Sequence, residues 1–347
     1  MAIISKKKIP FLISPALRNY LKEHDRTMAS PIKYSDLTRY DNTIPLYDRA
    51  GVDTLWQTVF YAQDDMSYIH HSLKKIYANL KANGDLSVME HLFVDRVDLC
   101  AYGNTRPFRV RIVNRVNDNF DYFYIKNADA SRVYGLELEH LLSPNRISYI
   151  VDGNTLIEEH IAGIPGDQFI KHHLNESTLN QIRLAKEFVK FNERCFVRLL
   201  GDMHSANFVI DVTPDFEEIH YRIRAIDFDQ QSFEGRAAIY MPKYFKQNNP
   251  LIEIGLRLMT PETVRQYQRE EQSLIAHRIK ASRYALKDLV DAMIMDKISL
   301  PGHVANLRKE MRKYYGEDKF MHCRNMGEIL KLSLKVVVQR LQRAKPC

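Results

Sequence analysis

The chain has 347 residues, of which 45% are hydrophobic and 27% charged, the balance of a globular protein with apolar side chains to spare for a core. No apolar run approaches the ~18 residues of a membrane span. The four cysteines lack the spacing of a metal site or a disulfide framework, which points to a reducing, cytoplasmic setting. Residues 301–347 hold eleven Lys or Arg against four Asp or Glu, so the whole net charge of +7 lies at that end. It reads as the solvated faces of amphipathic helices rather than a nucleic-acid surface.

The opening MAIISKKKIPFLISPAL has three lysines before an apolar patch that Pro10 and Pro15 interrupt, so it does not read as a secretory leader. Residues 1–90 read as a mostly helical extension. Helical periodicity covers Thr54 to His71 and Ser72 to Ala82, ending near Asn83-Gly84, and the polar stretch from Tyr34 to Asp53 reads as loop. Trp56 is expected as a packing anchor.

From about His91 the texture changes. Phe93–Ala101, Phe108–Val113 and Phe120–Ile125 read as three strands of an antiparallel meander, with turns at Tyr102–Pro107 and Arg115–Asn119. Lys126 closes the third strand, and a helix is expected from Ser131 to Leu142. A lysine so placed can reach the α- and β-phosphates of a nucleotide, held by a glutamate on the following helix. Glu137 and Glu139 are the two candidates; they point about 200° apart, so one faces inward, and Glu137 shares its face with Leu141. The Gly103-Asn104-Thr105 turn offers backbone N–H groups to phosphate oxygens. Further on, Asp152-Gly153-Asn154 turns between two strands. Backbone groups of Glu159, His160 and Ile161 then stand where a linker offers its edge to an adenine.

A helix expected over Thr178–Arg194 leads into LLGDMHSANFVI, Leu199 to Ile210, in which two apolar segments flank a polar loop. Asp202 and Asn207 are five positions apart, the Asp-x-x-x-x-Asn spacing of a phosphotransferase catalytic loop. A strand over Ile219–Ile226 then delivers Asp227. Phosphoryl transfer asks for a carboxylate beside the attacking hydroxyl and hard oxygen ligands for divalent cations. Asp202 fits the first role, and Asn207 and Asp227 the second. Beyond Asp229 the chain is irregular to about Pro250 and then helical, with a helix start at Thr260-Pro261-Glu262.

Taken in order, these parts resemble the aminoglycoside phosphotransferase and choline kinase branch of the protein-kinase-like superfamily. GDMHSANFVI is similar to that branch's GDxHxxN loop, IDFD to its metal strand and EEHIAGIPGD to its inter-lobe linker. The resemblance implies an α+β, two-lobed fold: a helical extension over 1–90, a small antiparallel-sheet N-lobe over 91–157, and a mainly helical C-lobe over 158–347 with the linker at 158–166. It implies ATP and Mg²⁺ as cofactors and transfer of the γ-phosphate to a hydroxyl of a small molecule. Asp202 would be the base, Asn207 and Asp227 the metal ligands, Lys126 the phosphate lysine with Glu137 as partner, and His204 a brace for the loop. A protein kinase acting on other chains or on itself, and a nucleotide-binding protein without turnover, are the alternatives. The sequence departs from the pattern at Leu200, where a histidine is usual, and in its glycine-poor phosphate turn.

Overall fold

The computed structural model describes residues 8–103, 105–215 and 219–343. The chain opens with helices α1 (Pro15–Glu23) and α2 (Tyr34–Leu37), strands β1 (Asn42–Tyr47) and β2 (Asp53–Phe60), and helix α3 (Gln63–Lys81). Strands β3 (Leu92–Leu99), β4 (Phe108–Asn114) and β5 (Phe120–Asn127) follow, then α4 (Ala130–Leu142), β6 (Tyr149–Asp152), β7 (Thr155–Glu159) and the short β8 (Ile164–Pro165). The remainder runs α5 (Gly166–His172), α6 (Gln181–Arg198), β9 (Phe208–Pro214), β10 (Ile219–Ala225), α7 (Asn249–Leu258), α8 (Pro261–Ala281), α9 (Arg283–Met295), α10 (Pro301–Tyr315) and α11 (Met326–Arg343). An antiparallel sheet followed by a mainly helical part is the expected α+β class.

Two compact units divide these elements, and they cut across the expected boundaries. One combines the described parts of Lys7–Asp129 with Ile147–His160; the other combines Ala130–Arg146 with the described parts of Ile161–Cys347. Within the first, seven antiparallel strands lie in the order β1-β2-β3-β4-β5-β7-β6. Alternation on β4 sends Phe108, Val110 and Ile112 to one face, where α3 covers them with the stripe Ile69, Leu73, Ile76 and Leu80. The helix stops where the sequence says it should: Gly84 adopts φ +85 and donates its N–H to Ala78 O at 3.1 Å.

The N-terminal ninety residues are not a helical extension. Asn42–Tyr47, expected as loop, is a strand, and so is Asp53–Phe60, expected as the start of a long helix. They pair with each other from Asn42↔Phe60 onward, and Gln57 and Thr58 pair with Leu99 and Asp98 of β3. The deciding partners lie about 40 residues away, beyond any window that reads local periodicity. Trp56 does pack, under the Arg109 guanidinium at 4.2 Å from the ring centre.

The second unit builds its core from α6, α8, α9 and α11, with α4 set against α8 and α9. Eleven of the thirteen α4 residues are buried, including both Glu137 and Glu139. The expectation that only one of these carboxylates faces inward therefore fails: only His140 and Leu141 of this helix keep partial exposure.

Candidate active site

In the second unit the loop that carries Asp202 and Asn207 hangs between the end of α6 and the start of β9. Its lead-in is not a strand. Leu199 closes α6 in the left-handed region at φ +57, and Leu200 makes only an isolated bridge to Gln231. Leu199 N donates to Phe196 O at 3.2 Å, Leu200 N to Cys195 O at 2.9 Å, and Ser232 N to Leu199 O at 2.8 Å. These bonds hold a left-handed conformation that costs a non-glycine residue about 1 kcal/mol. Buried Leu200 is thus part of the turn that aims the loop.

Asp202 is itself left-handed at φ +61, a local strain of the kind that gathers at functional sites. Its N–H donates to Ile239 O at 3.1 Å, and its carbonyl accepts from His204 N at 2.9 Å and from Asn207 Nδ2 at 2.8 Å. The last bond spends the amide's nitrogen on the loop and leaves its oxygen as the group Asn207 offers elsewhere. His204 Nδ1 accepts from Ala206 N at 3.3 Å and caps a single 3₁₀ turn, the bracing role expected of it. Asn248, fully buried, holds the loop from below, donating to Met203 O at 2.9 Å and Pro242 O at 2.8 Å.

Asp227 lies twenty positions beyond Asn207, and the β9–β10 hairpin removes that distance. The ladder runs from Ile219↔Pro214 to Ala225↔Phe208, and Ile226 N donates to Asn207 O at 3.0 Å. Asn207 and Asp227 therefore emerge at the same end of one antiparallel pair, whose strands lie about 4.8 Å apart. Asp202 shares this neighbourhood. Burial foremost, then the negative charges of Asp227 and Glu234, push its carboxyl up to about 7. His204 is held below its ordinary value by burial, against the pull of Asp227 and Asp167.

Arg132, on the first turn of α4, was not singled out in the sequence. Its Nη1 donates to Asp227 Oδ1 at 2.8 Å and to Asp229 Oδ1 at 2.9 Å, and its Nη2 to Ile226 O at 3.2 Å. Gly135, one turn on, makes the approach possible: a Cβ there would stand 2.9 Å from Phe228 Cβ. An arginine followed three residues later by a glycine inside a helix was the available signal of a close partner.

The remaining candidates lie as follows. Lys126, on β5, is buried and donates from Nζ at 2.7 Å to Oε2 of Glu158, which lies on β7. Lys126 belongs to the sheet unit and Glu137 to the helical one. Glu139 pairs with Arg198, both side chains buried, and also accepts from Asn145 Nδ2 at 3.3 Å. Of the phosphate turn, Gly103 donates its N–H to Cys100 O at 3.4 Å, Thr105 is buried, and Asn104 lies outside the described residues. In the linker, Glu159 N donates to Ser148 O at 3.0 Å and His160 N to Tyr122 O at 3.2 Å; Ile161 is buried. The N–H groups of Glu159 and His160 are thus bonded to carbonyls of the sheet unit itself.

Among the described residues no group of three or more His, Cys, Asp or Glu side chains is arranged to hold a metal ion. The Asn207–Asp227 pair is sparser. One amide oxygen and one carboxylate suit a hard cation whose other ligands are phosphate oxygens and water. No helix among the described residues is long and apolar enough to cross a membrane.

No protein-family model matches the sequence, and no curated protein matches it. Among solved structures, the chain is similar to the Rio2 kinase–ADP/Mg²⁺–phosphoaspartate complex from Chaetomium thermophilum. The identity is 12% and the TM-score 0.35, over 72% of this chain and 80% of that one.

Proposed function

We propose that the protein is an ATP-dependent phosphotransferase of the kinase-like kind that moves the γ-phosphate to a hydroxyl of a small molecule. The observation that carries this reading is the β9–β10 hairpin, which brings Asn207 and Asp227 to one end beside the loop that presents Asp202. A carboxyl raised to about 7 suits a group that must take a proton at neutral pH. Asp202 would orient the acceptor hydroxyl and accept its proton as the oxygen attacks. Asn207 and Asp227 would hold Mg²⁺, which when bound neutralises charge on the triphosphate. Lys126 would be the cation for the α- and β-phosphates, and Glu137, buried on α4, its carboxylate partner. The branch assignment, to the aminoglycoside phosphotransferases and choline kinases, is part of the same proposal and rests on GDMHSANFVI and IDFD.

The test is ATP turnover across a panel of hydroxyl metabolites, run beside a mixture of protein acceptors, with Asp202→Asn as control. Phosphorylation of one metabolite that falls at least a hundredfold in the variant supports the reading, in line with the ~10²–10⁴ of general-base catalysis. Label entering only protein acceptors replaces the small-molecule acceptor with a protein. A second reading, a nucleotide-binding protein without turnover, has the Arg132–Asp227 ion pair in its favour. It is identified by nucleotide binding with no acceptor phosphorylated.

A further inference from the structure

We infer that Arg132 brings, from the protein itself, the positive charge that a second divalent cation would otherwise supply, so that the candidate site takes one metal ion. The inference rests on the phosphotransferase reading above. Protein kinases hold two Mg²⁺ ions with one aspartate and one asparagine. With so few protein ligands, the aspartate must divide its two oxygens between the ions.

Asp227 does not divide them. Its Oδ1 accepts from Arg132 Nη1 at 2.8 Å and from the Asp229 backbone N–H at 3.0 Å. Two donors occupy the lone pairs of that oxygen, so at most the other can serve a cation. The guanidinium is fixed rather than swinging, because it also bonds Asp229 Oδ1 and Ile226 O. Its side chain is only 4% exposed. Arginine stays charged wherever it is buried, so this positive charge cannot be shed to admit a metal. A second doubly charged ion on the same carboxylate would face it with little water between them.

Placement of α4 enforces the arrangement. Gly135 lets the helix lie directly on Phe228, and the Phe228 ring is buried beneath it. Tyr134 Oη donates to Asp296 Oδ2 at 2.6 Å and fastens the helix on another face. Lysine would not do the same work: its single ammonium lacks the planar fork that spans several acceptors.

The experiment counts Mn²⁺ bound per full-length chain, by the electron paramagnetic resonance signal of free Mn²⁺, in the presence of saturating non-hydrolysable ATP analogue. One ion is expected in the wild type, two in Arg132→Gln, and in Arg132→Lys a second ion bound more weakly than in the glutamine variant. If Arg132→Gln does not fold, the appearance of that weaker second ion in Arg132→Lys carries the decision. Two ions in the wild type, or no second ion in either variant, overturns the inference and leaves the phosphotransferase reading standing. Analogue bound with no Mn²⁺ in the wild type overturns both.

Discussion

Replacing Asp202 by asparagine should make the folded protein more stable while removing its activity, and only at a pH where the carboxyl is ionised. The native environment raises this carboxyl from 3.8 to about 7, mainly by burial and then through Asp227 and Glu234. The folded state therefore binds the Asp202 proton more tightly than the unfolded chain does. Stability from this group is fully present below the unfolded value and is lost as pH rises through about 7. At about 1.4 kcal/mol per pH unit, the ceiling on the loss is about 4 kcal/mol. Asp202 keeps part of its surface in water, and solvent screening halves that ceiling to about 2 kcal/mol. An uncharged, near-isosteric asparagine avoids the loss. For a chain of this length the gain is a melting temperature higher by about 3 °C at pH 8, shrinking to nothing near pH 4. Scanning calorimetry of wild type and variant at pH 5 and pH 8, without nucleotide or metal, reads it directly. A variant less stable than the wild type by the same margin at both pH values would refute the reasoning, because Asp202 would then be a structural group and not a strained, functional one.

Three further outcomes follow from the packing. Arg198→Met should cost about 3–5 kcal/mol in a urea titration, since it strips the buried Glu139 carboxylate of its guanidinium. Burial works to raise the Glu139 carboxyl, but Arg198, Ser143 and Arg194 together hold the group below its ordinary range, so the wild-type advantage should fade as pH drops into the acid range. Gly135→Ala should destabilise by about 1–3 kcal/mol despite alanine's better helix propensity, because the new methyl meets Phe228 Cβ, which has no freedom to move aside; a gain in urea midpoint would show that α4 does not lie tightly on that segment. Thr260→Ala, which removes the side-chain acceptor for Thr263 N at the head of α8, should cost about 1 kcal/mol of stability and leave nucleotide binding unchanged.

Features fixed by neighbouring residues could be read directly from the sequence. Strands β3, β4 and β5 came within a few residues of their observed ends, because alternation and turn residues act over a few positions. The start of α8 at Thr260-Pro261 and the left-handed stop after α3 at Asn83-Gly84 are equally local. So is the Asp202–Asn207 spacing, which one short loop carries.

What the tertiary structure decided has partners far along the chain. Strands β1 and β2 exist because they pair with each other and with β3, which no local periodicity encodes. Lys126 meets Glu158 through the β5–β7 register, and Glu139 meets Arg198 across 59 residues. Arg132 reaches Asp227 across 95 residues, because a glycine lets two segments touch. The raised carboxyl of Asp202 belongs to this group too. A residue's type sets its ordinary titration, but only folding removes its water and brings other negative charges near it.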